Sequence, residues 1–353
     1  MRLRLAITVV VLQLIVLAYM AGGREWILRT GQTMVLRTAP IDPNDPMRGD
    51  YARLSYDISS VTKDQCRDGA LKMFASNGYV YSRQWRDTPV YATMKLNDSG
   101  IAELVSVSDQ KPANGLFLRG RIDAVSERTL SIRYGIEAFF MQQGAAQNLE
   151  DLRRTEKSGV PLDVTLAVGG SGTAMLKDYR WEPLGLVATF ERTSADQATA
   201  SENQPLPRQF ITAVRLEIKN HGSQNIALID LPKAGSFRLV NDRRWQEPRY
   251  QWVGIDQPAQ SVQAGNLVVL KPGEIHTTRI DLTQPGWFVV DTKSDPTGEH
   301  PVSLQRDLGD WAASFRIEYS SPTRTAVGNL PGAEIVYHGA LYSRPFAPSQ
   351  ARD

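Results

Sequence analysis

Residues 50–58 read DYARLSYDI, from Asp50 to Ile58. Ala52, Leu54, Tyr56 and Ile58 fall on one side of an extended chain, and Arg53, Ser55 and Asp57 on the other. That period of two is the mark of a half-buried strand. Upstream, Met34 to Arg37 is a candidate preceding strand, and Pro40, Pro43 and Pro46 interrupt the path between the two. Gly49 gives a permissive backbone at the strand entry, where Asp50 caps the turn or pairs with Arg48. Downstream, Leu116–Val125 and Thr129–Tyr134 predict a hairpin around Ser126-Glu127-Arg128. Leu162–Val168 and Thr173–Leu176 flank Gly169-Gly170-Ser171-Gly172, a strong hairpin signal. One soluble helix is predicted over Ala145–Lys157, with Leu149 and Leu152 inward. The block 24–192 thus reads as β-rich with a little helix.

Residues 193–209 read TSADQATASENQPLPRQ. Such a stretch buries too little apolar surface to offset its ordering entropy, so it predicts a polar linker. Beyond it, residues 210–349 read as all-β. Strands are predicted at Phe210–Lys219, Ile226–Ile229, Phe237–Val240, Leu267–Leu270, Thr277–Leu282, Trp287–Val290, Trp311–Tyr319 and Glu334–Leu341. Turn residues separate them, as at Lys271-Pro272-Gly273-Glu274. Seven or more short strands at this spacing predict an immunoglobulin-like β-sandwich, in architecture only, since the Cys…Trp…Cys pattern is absent. Residues 350–353 form a tail.

Leu5 to Ala21 reads LAITVVVLQLIVLAYMA, without a charge. Seventeen helical residues reach roughly 26 Å, and a bilayer core is about 30 Å thick. The span closes if it runs from Leu3 to Gly23 with Arg4 snorkelling. Trp26 then stands where an interfacial aromatic belongs, and Arg2 and Arg4 place the N-terminus inside. Residues 1–23 are therefore read as a transmembrane anchor. A cleaved signal peptide ending at Ala21-Gly22-Gly23 is the rival reading; the length of the apolar run favours the anchor.

The chain has 353 residues, with 40 Lys+Arg against 38 Asp+Glu. Without Arg2 and Arg4 the remainder is neutral, which removes the electrostatic footprint of a nucleic-acid binder. The single cysteine, Cys66, excludes an intrachain disulfide framework and a thiolate zinc cluster. No P-loop, dinucleotide fingerprint or CxxC pair is present, so no cofactor is predicted. Asp42, Asn44, Asp45 and Asp50 lack the spacing of a calcium loop. His221, His276, His300 and His338 show no metal-ligand spacing, and Ser171 lies in no nucleophile elbow. Met47-Arg48-Gly49-Asp50-Tyr51 is faintly similar to the serine–lysine signal peptidases. The bases there would be Arg119 or Arg121, which cannot accept a proton near neutrality. In the second block DRRWQEPRYQW brings Arg243, Arg244, Trp245, Arg249 and Tyr250 together, a composition typical of contact hot spots and the candidate partner-binding surface.

Across Pro40–Ile58, PIDPNDPMRGDYARLSYDI resembles the GDYXXLXY family of membrane-anchored bacterial proteins. Gly49, Asp50, Tyr51, Leu54 and Tyr56 match its five named positions. The likeness continues at Tyr134-Gly135-Ile136-Glu137, followed by Phe139 and Phe140, and covers roughly residues 25–180. It implies an extracytoplasmic β-rich domain after an N-terminal helix, and carries no catalytic residue. The whole then reads as a mainly β protein: an N-terminal transmembrane helix, a β-rich (α+β) domain over 24–192, and the sandwich as an appended module. The expected setting is the bacterial inner membrane, single-pass, with both domains in the periplasm or outside the cell. The expected role is non-catalytic binding or scaffolding with an integral membrane or envelope protein. The alternative is an envelope hydrolase whose site forms only in the fold, from His276 or His338 and a nearby acid.

Overall fold

The computed structural model describes residues 2–39, 51–75, 83–97, 99–126, 129–140, 159–193, 209–242, 249–254, 262–306, 308 and 313–350. The chain is mainly β and forms two compact units. The first is built from described residues through 140 together with 162–180, the second from 159–161 and 181 onward. The helix expected over 145–157 lies outside the described residues.

The first unit begins with helix α1, Arg2–Thr30. Its segment Ile7–Thr30 has a mean hydropathy of 1.8, with none of its apolar window buried, and among the described residues it is the one helix long and apolar enough to cross a membrane. The helix does not stop at residue 23. Arg29 pairs with Glu25 one turn back at 2.7 Å, and the Thr30 hydroxyl donates to the Trp26 carbonyl, so polar residues carry it two turns further. Only Gly31 separates it from strand β1, Gln32–Ala39. The Gly31 N–H donates to the Ile27 carbonyl at 2.8 Å. A Cβ on Gly31 would stand 2.5 Å from that oxygen and 3.0 Å from the Val168 nitrogen, closer than a side chain tolerates.

The remaining strands of this unit are β2 (Tyr51–Arg53), β3 (Ser55–Tyr56), β4 (Ser60–Thr62), β5 (Pro89–Leu96), β6 (Ala102–Ser108), β7 (Leu116–Val125), β8 (Thr129–Arg133), β9 (Ala138–Phe140), β10 (Leu162–Val168) and β11 (Ala174–Trp181). One sheet runs β11-β10-β1-β3, a second β4-β8-β7-β5-β6, and β2 pairs with β9. Both hairpins expected from the sequence form. Ser126 closes the β7–β8 turn through its N–H on the Thr129 carbonyl, and Gly172 sits at φ 82° in the β10–β11 turn. The stretch Asp50–Ile58 is shorter than one continuous strand. It divides into β2, β3 and a 3-10 turn at Asp57–Ser59, while Leu54, Tyr56 and Ile58 still point inward. Val90, Ala92, Val107, Leu118, Ile122, Leu130 and Ile132 fill the interior of the five-stranded sheet. Full burial of one such aliphatic side chain contributes roughly 1.5–3 kcal/mol.

The second unit comprises β12 (Leu184–Arg192), β13 (Gln209–Asn220), β14 (Ile226–Ile229), β15 (Phe237–Asn241), β16 (Tyr250–Trp252), β17 (Leu267–Leu270), β18 (Ile275–Asp281), β19 (Val289–Asp291), β20 (Phe315–Ser320), β21 (Ala340–Tyr342) and β22 (Ser349–Gln350). The sheets are β12-β13-β18 with β22 beside β13, then β15-β20-β21, and the pairs β14-β17 and β16-β19. Here the domain boundary differs from the sequence expectation. β12 pairs antiparallel with β13 from Leu184↔Asn220 to Arg192↔Ile211. The Thr193 N–H donates to the Phe210 carbonyl at 2.8 Å. The polar stretch therefore joins neighbouring strands of one sheet, and the second unit starts near residue 181. Low apolar content suits a long hairpin connection as well as an interdomain tether.

Three predicted strands are also redrawn. Pro285 starts a 3-10 turn, so the strand expected at Trp287 begins at Val289. The described part of the strand expected from Trp311 begins at Phe315. The segment from Glu334 divides into a 3-10 turn, Ala333–Ile335, and β21. Leu186, Leu216 and Ile218 pack in one cluster with Leu239, Ile317, Tyr319 and Leu341. A smaller cluster gathers Ala227, Ile229, Val327 and Val336.

Candidate functional site

Of the five motif positions, Gly49 and Asp50 lie outside the described residues. Tyr51 enters β2 opposite Phe140. Leu54 and Tyr56 are buried, and the Leu54 N–H donates to the Glu137 carbonyl at 2.8 Å. The Tyr56 hydroxyl donates to the Ile136 carbonyl at 2.9 Å, and the Tyr134 hydroxyl donates to the Ile58 carbonyl at 2.9 Å. The Glu137 carboxylate accepts the N–H groups of Tyr134 and Gly135 at 2.6 and 2.9 Å. It thereby holds the turn in which Gly135 adopts φ 79°. Burial first, and the Glu137 charge second, push both phenols well above the ordinary tyrosine range. Tyr56 and Tyr134 therefore remain neutral donors near neutrality, committed to backbone. Leu54 and Tyr56 thus form a clasp with the Tyr134–Glu137 turn.

Among the candidate partner-binding residues, Arg243, Arg244 and Trp245 lie outside the described residues. Arg249 grips Asp291 through Nε and Nη2 at 3.0 and 2.8 Å, and its guanidinium lies 5.1 Å from the Tyr250 ring centre. Hydrogen bonding from Arg249, opposed by desolvation, holds the Asp291 carboxyl down to about 2. Tyr250 itself is buried in the core of the second unit. Trp252 stacks on Trp287 with centroids 5.7 Å apart and donates its indole N–H to the Gly286 carbonyl. Of the two described members, Arg249 is thus at the surface and Tyr250 is its packed support.

The histidines separate by the same test. His276 Nε2 lies 2.7 Å from Asp230 Oδ2, and Thr278 Oγ1 lies 3.1 Å from that nitrogen and 3.2 Å from that carboxylate oxygen. A nucleophilic relay needs the acid on one ring nitrogen and the hydroxyl on the other. Here both converge on Nε2, a hydrogen-bonded triangle that supplies no activated hydroxyl. His338 Nδ1 lies 3.3 Å from the Pro322 carbonyl. Among the described residues no group of three His, Cys, Asp or Glu side chains is placed to hold a metal.

A cleft of about 350 Å³ opens in the first unit where α1 meets the sheet. Trp26, Ile27, Thr30 and Gly31 line one side, and Gly115, Phe117 and Val168 to Ser171 the other. The Arg119 N–H donates to the Gly172 carbonyl at 2.8 Å, tying β7 to the turn. Lys111 Nζ lies 5.7 Å from the centre of the Phe117 ring. Among the described residues no acidic side chain lines the cleft. Sequence patterning does not single it out, because Gly31 meets Val168 only through the pairing of β1 with β10, and β7 reaches the turn only through the Arg119–Gly172 hydrogen bond. The available signal was the glycine between a basic helix end and a strand.

Residues 13–178 match the model of the GDYXXLXY protein family, a stretch from within α1 into β11. No curated protein and no solved structure matches the chain.

Proposed function

We propose that this chain is a single-pass protein of the bacterial inner membrane whose two β-rich units stand in the periplasm or outside the cell. Its role there is binding or scaffolding with another integral membrane or envelope protein, without catalysis. The observation that carries the reading is the passage of an apolar 29-residue helix into a central strand through one glycine. A helix of that length reaches roughly 44 Å, enough for a bilayer core and one headgroup layer. A stem fused this closely to a sheet suits a protein held at a fixed height beside a membrane partner.

The second unit supplies the proposed contact module, with an immunoglobulin-like sandwich as the architecture. Antiparallel sheets sharing one buried cluster support that assignment. Arg249, on a packed aromatic base, is its proposed contact residue, with Arg243, Arg244 and Trp245 adjoining in sequence. The shared nitrogen in the His276–Asp230–Thr278 triangle weighs against the hydrolase alternative.

Photo-crosslinking in intact cells tests the proposal, with a crosslinker replacing Arg249 and membranes isolated before capture. A specific envelope protein in the adduct is the expected result. Absence of any adduct, together with turnover of a peptide or ester panel by the purified chain, refutes the scaffolding role.

A further inference from the structure

We propose that the cleft at the base of α1 is a headgroup-binding collar, through which the first unit rests on the anionic phospholipid of the membrane that α1 crosses. The inference rests on the membrane-anchor reading and extends it to the β domain.

The levels agree. A bilayer core of about 30 Å needs roughly twenty helical residues, more than Leu5–Ala21 supplies. Counting from Ile7 instead of Leu3 brings Trp26 to the edge of the hydrocarbon, where a tryptophan is favoured, with Arg24 snorkelling to the headgroups and Glu25 held by Arg29 one turn further out. From Trp26 to Gly31 the chain climbs roughly 7.5 Å, about the depth of one headgroup layer. The residues lining the helical side of the cleft therefore sit at headgroup height. Ile27 contacts the β10–β11 turn there, where a Cβ on Gly169 would lie 3.1 Å from its side chain.

The chemistry agrees as well. Gly170 and Ser171 are exposed at the turn, and their N–H groups make no hydrogen bond among the described residues. Gly115 is exposed opposite. Small, uncharged tips of this kind can press into a polar lipid layer. Arg29 and Glu25 pair with each other, which leaves Arg24 and Lys111 as the exposed cations nearest in sequence to the two sides of the cleft. Such cations near a bilayer surface favour anionic lipid. A phospholipid phosphate is the occupant that matches free backbone donors, flanking cations and an acid-free lining.

The full chain, carrying Cys66→Ala and a fluorophore at either Ser171→Cys or Arg86→Cys, would be reconstituted into vesicles. These would be phosphatidylcholine alone or an equal mixture with phosphatidylglycerol, each with a headgroup-level quencher. Arg86 is exposed next to Asp87, whose N–H donates to the Ile122 carbonyl far along β7 from Phe117. The expected result is quenching at Ser171 and none at Arg86, stronger in the anionic vesicles, with Lys111→Glu abolishing that lipid difference. Carbonate-resistant insertion without quenching at Ser171 overturns the collar while leaving the anchor intact. Quenching indifferent to lipid charge and to Lys111→Glu overturns the anionic headgroup as occupant. Failure to insert at all overturns both readings.

Discussion

Tyr56 and Tyr134 hold each other's strands by a reciprocal exchange. Each phenol donates to the carbonyl two residues beyond the other tyrosine, Tyr56 to Ile136 and Tyr134 to Ile58, both at 2.9 Å. The exchange joins the Leu54–Ile58 segment to the turn that Glu137 organises. Two segments about eighty residues apart are thereby fixed in one register. A tyrosine at these positions thus combines a large buried ring with a directed donor, and phenylalanine can replace only the first of these.

Tyr56→Phe and Tyr134→Phe should each destabilise the first unit by about 1–3 kcal/mol, because a buried carbonyl loses its donor. The double variant should depart from additivity by at least about 0.5 kcal/mol, since the two bonds share one clasp. Urea unfolding of the full chain in detergent micelles, followed by near-ultraviolet circular dichroism, measures both. Losses under about 0.5 kcal/mol for both single variants would show that the exchange is not stabilising.

Alkali should unfold the protein through the same groups. An unfolded tyrosine titrates near 10, whereas burial raises Tyr56 and Tyr134 above that and brings Tyr319 to about 12. From about pH 10 upward the unfolded chain has released protons that the native chain retains. The tyrosines' contribution is therefore intact below pH 10 and falls as pH rises, by about 1.4 kcal/mol per pH unit for each such tyrosine. For Tyr319 the loss is complete once pH passes about 12. Urea midpoints measured from pH 9 to 11 should fall less steeply in the Tyr56→Phe/Tyr134→Phe variant than in the parent.

Much of this first unit is legible in the sequence for a simple reason. Leu54, Tyr56 and Ile58 alternate, and Gly169-Gly170-Ser171-Gly172 can hardly be anything but a turn. β5 and β6 escape notice because Ala92, Met94 and Ala102 fill inward positions usually held by β-branched residues. The hairpin β12–β13 is obscured by its polar connection, since composition alone does not say whether a hydrophilic stretch joins domains or strands. The clasp is half legible: Tyr134-Gly135-Ile136-Glu137 stands out as a segment, but only the fold places it against Leu54. Asp230 beside His276 and Gly31 beside Val168 arise from pairings distant in sequence, with no local pattern to announce them.

Cys66 should behave as an inert buried thiol in the folded chain. It is only 1% exposed, and burial, with Asp64 adding to it, pushes the thiol up to about 11. Relative to an ordinary thiol near 9, the thiolate fraction at pH 8 falls roughly a hundredfold. Reaction with a maleimide at pH 8 should accordingly be at least about a hundredfold slower in buffer than in unfolding urea. The same shift adds a stability loss between about pH 9 and 11, which Cys66→Ala should remove. Rapid labelling of the native chain would contradict the burial.

Asp163 is a fully buried carboxylate of the first unit. It lies on β10, with Arg37 Nε at 3.0 Å on the paired strand and Arg180 Nη2 at 3.6 Å. The Arg37 side chain is only 14% exposed, whereas that of Arg180 is 57% exposed. Taking away the carboxylate leaves Arg37 charged in a poorly solvated site, and Asp163→Asn should cost about 3–5 kcal/mol. Arg180→Ala should cost no more than about 1 kcal/mol, because solvent already screens that partner. The contrast between the two variants, read from urea unfolding at neutral pH, isolates burial as the cause. Equal costs for both would mean that the pair acts as a surface network and that Asp163 is not the buried anchor of the β1–β10 pairing.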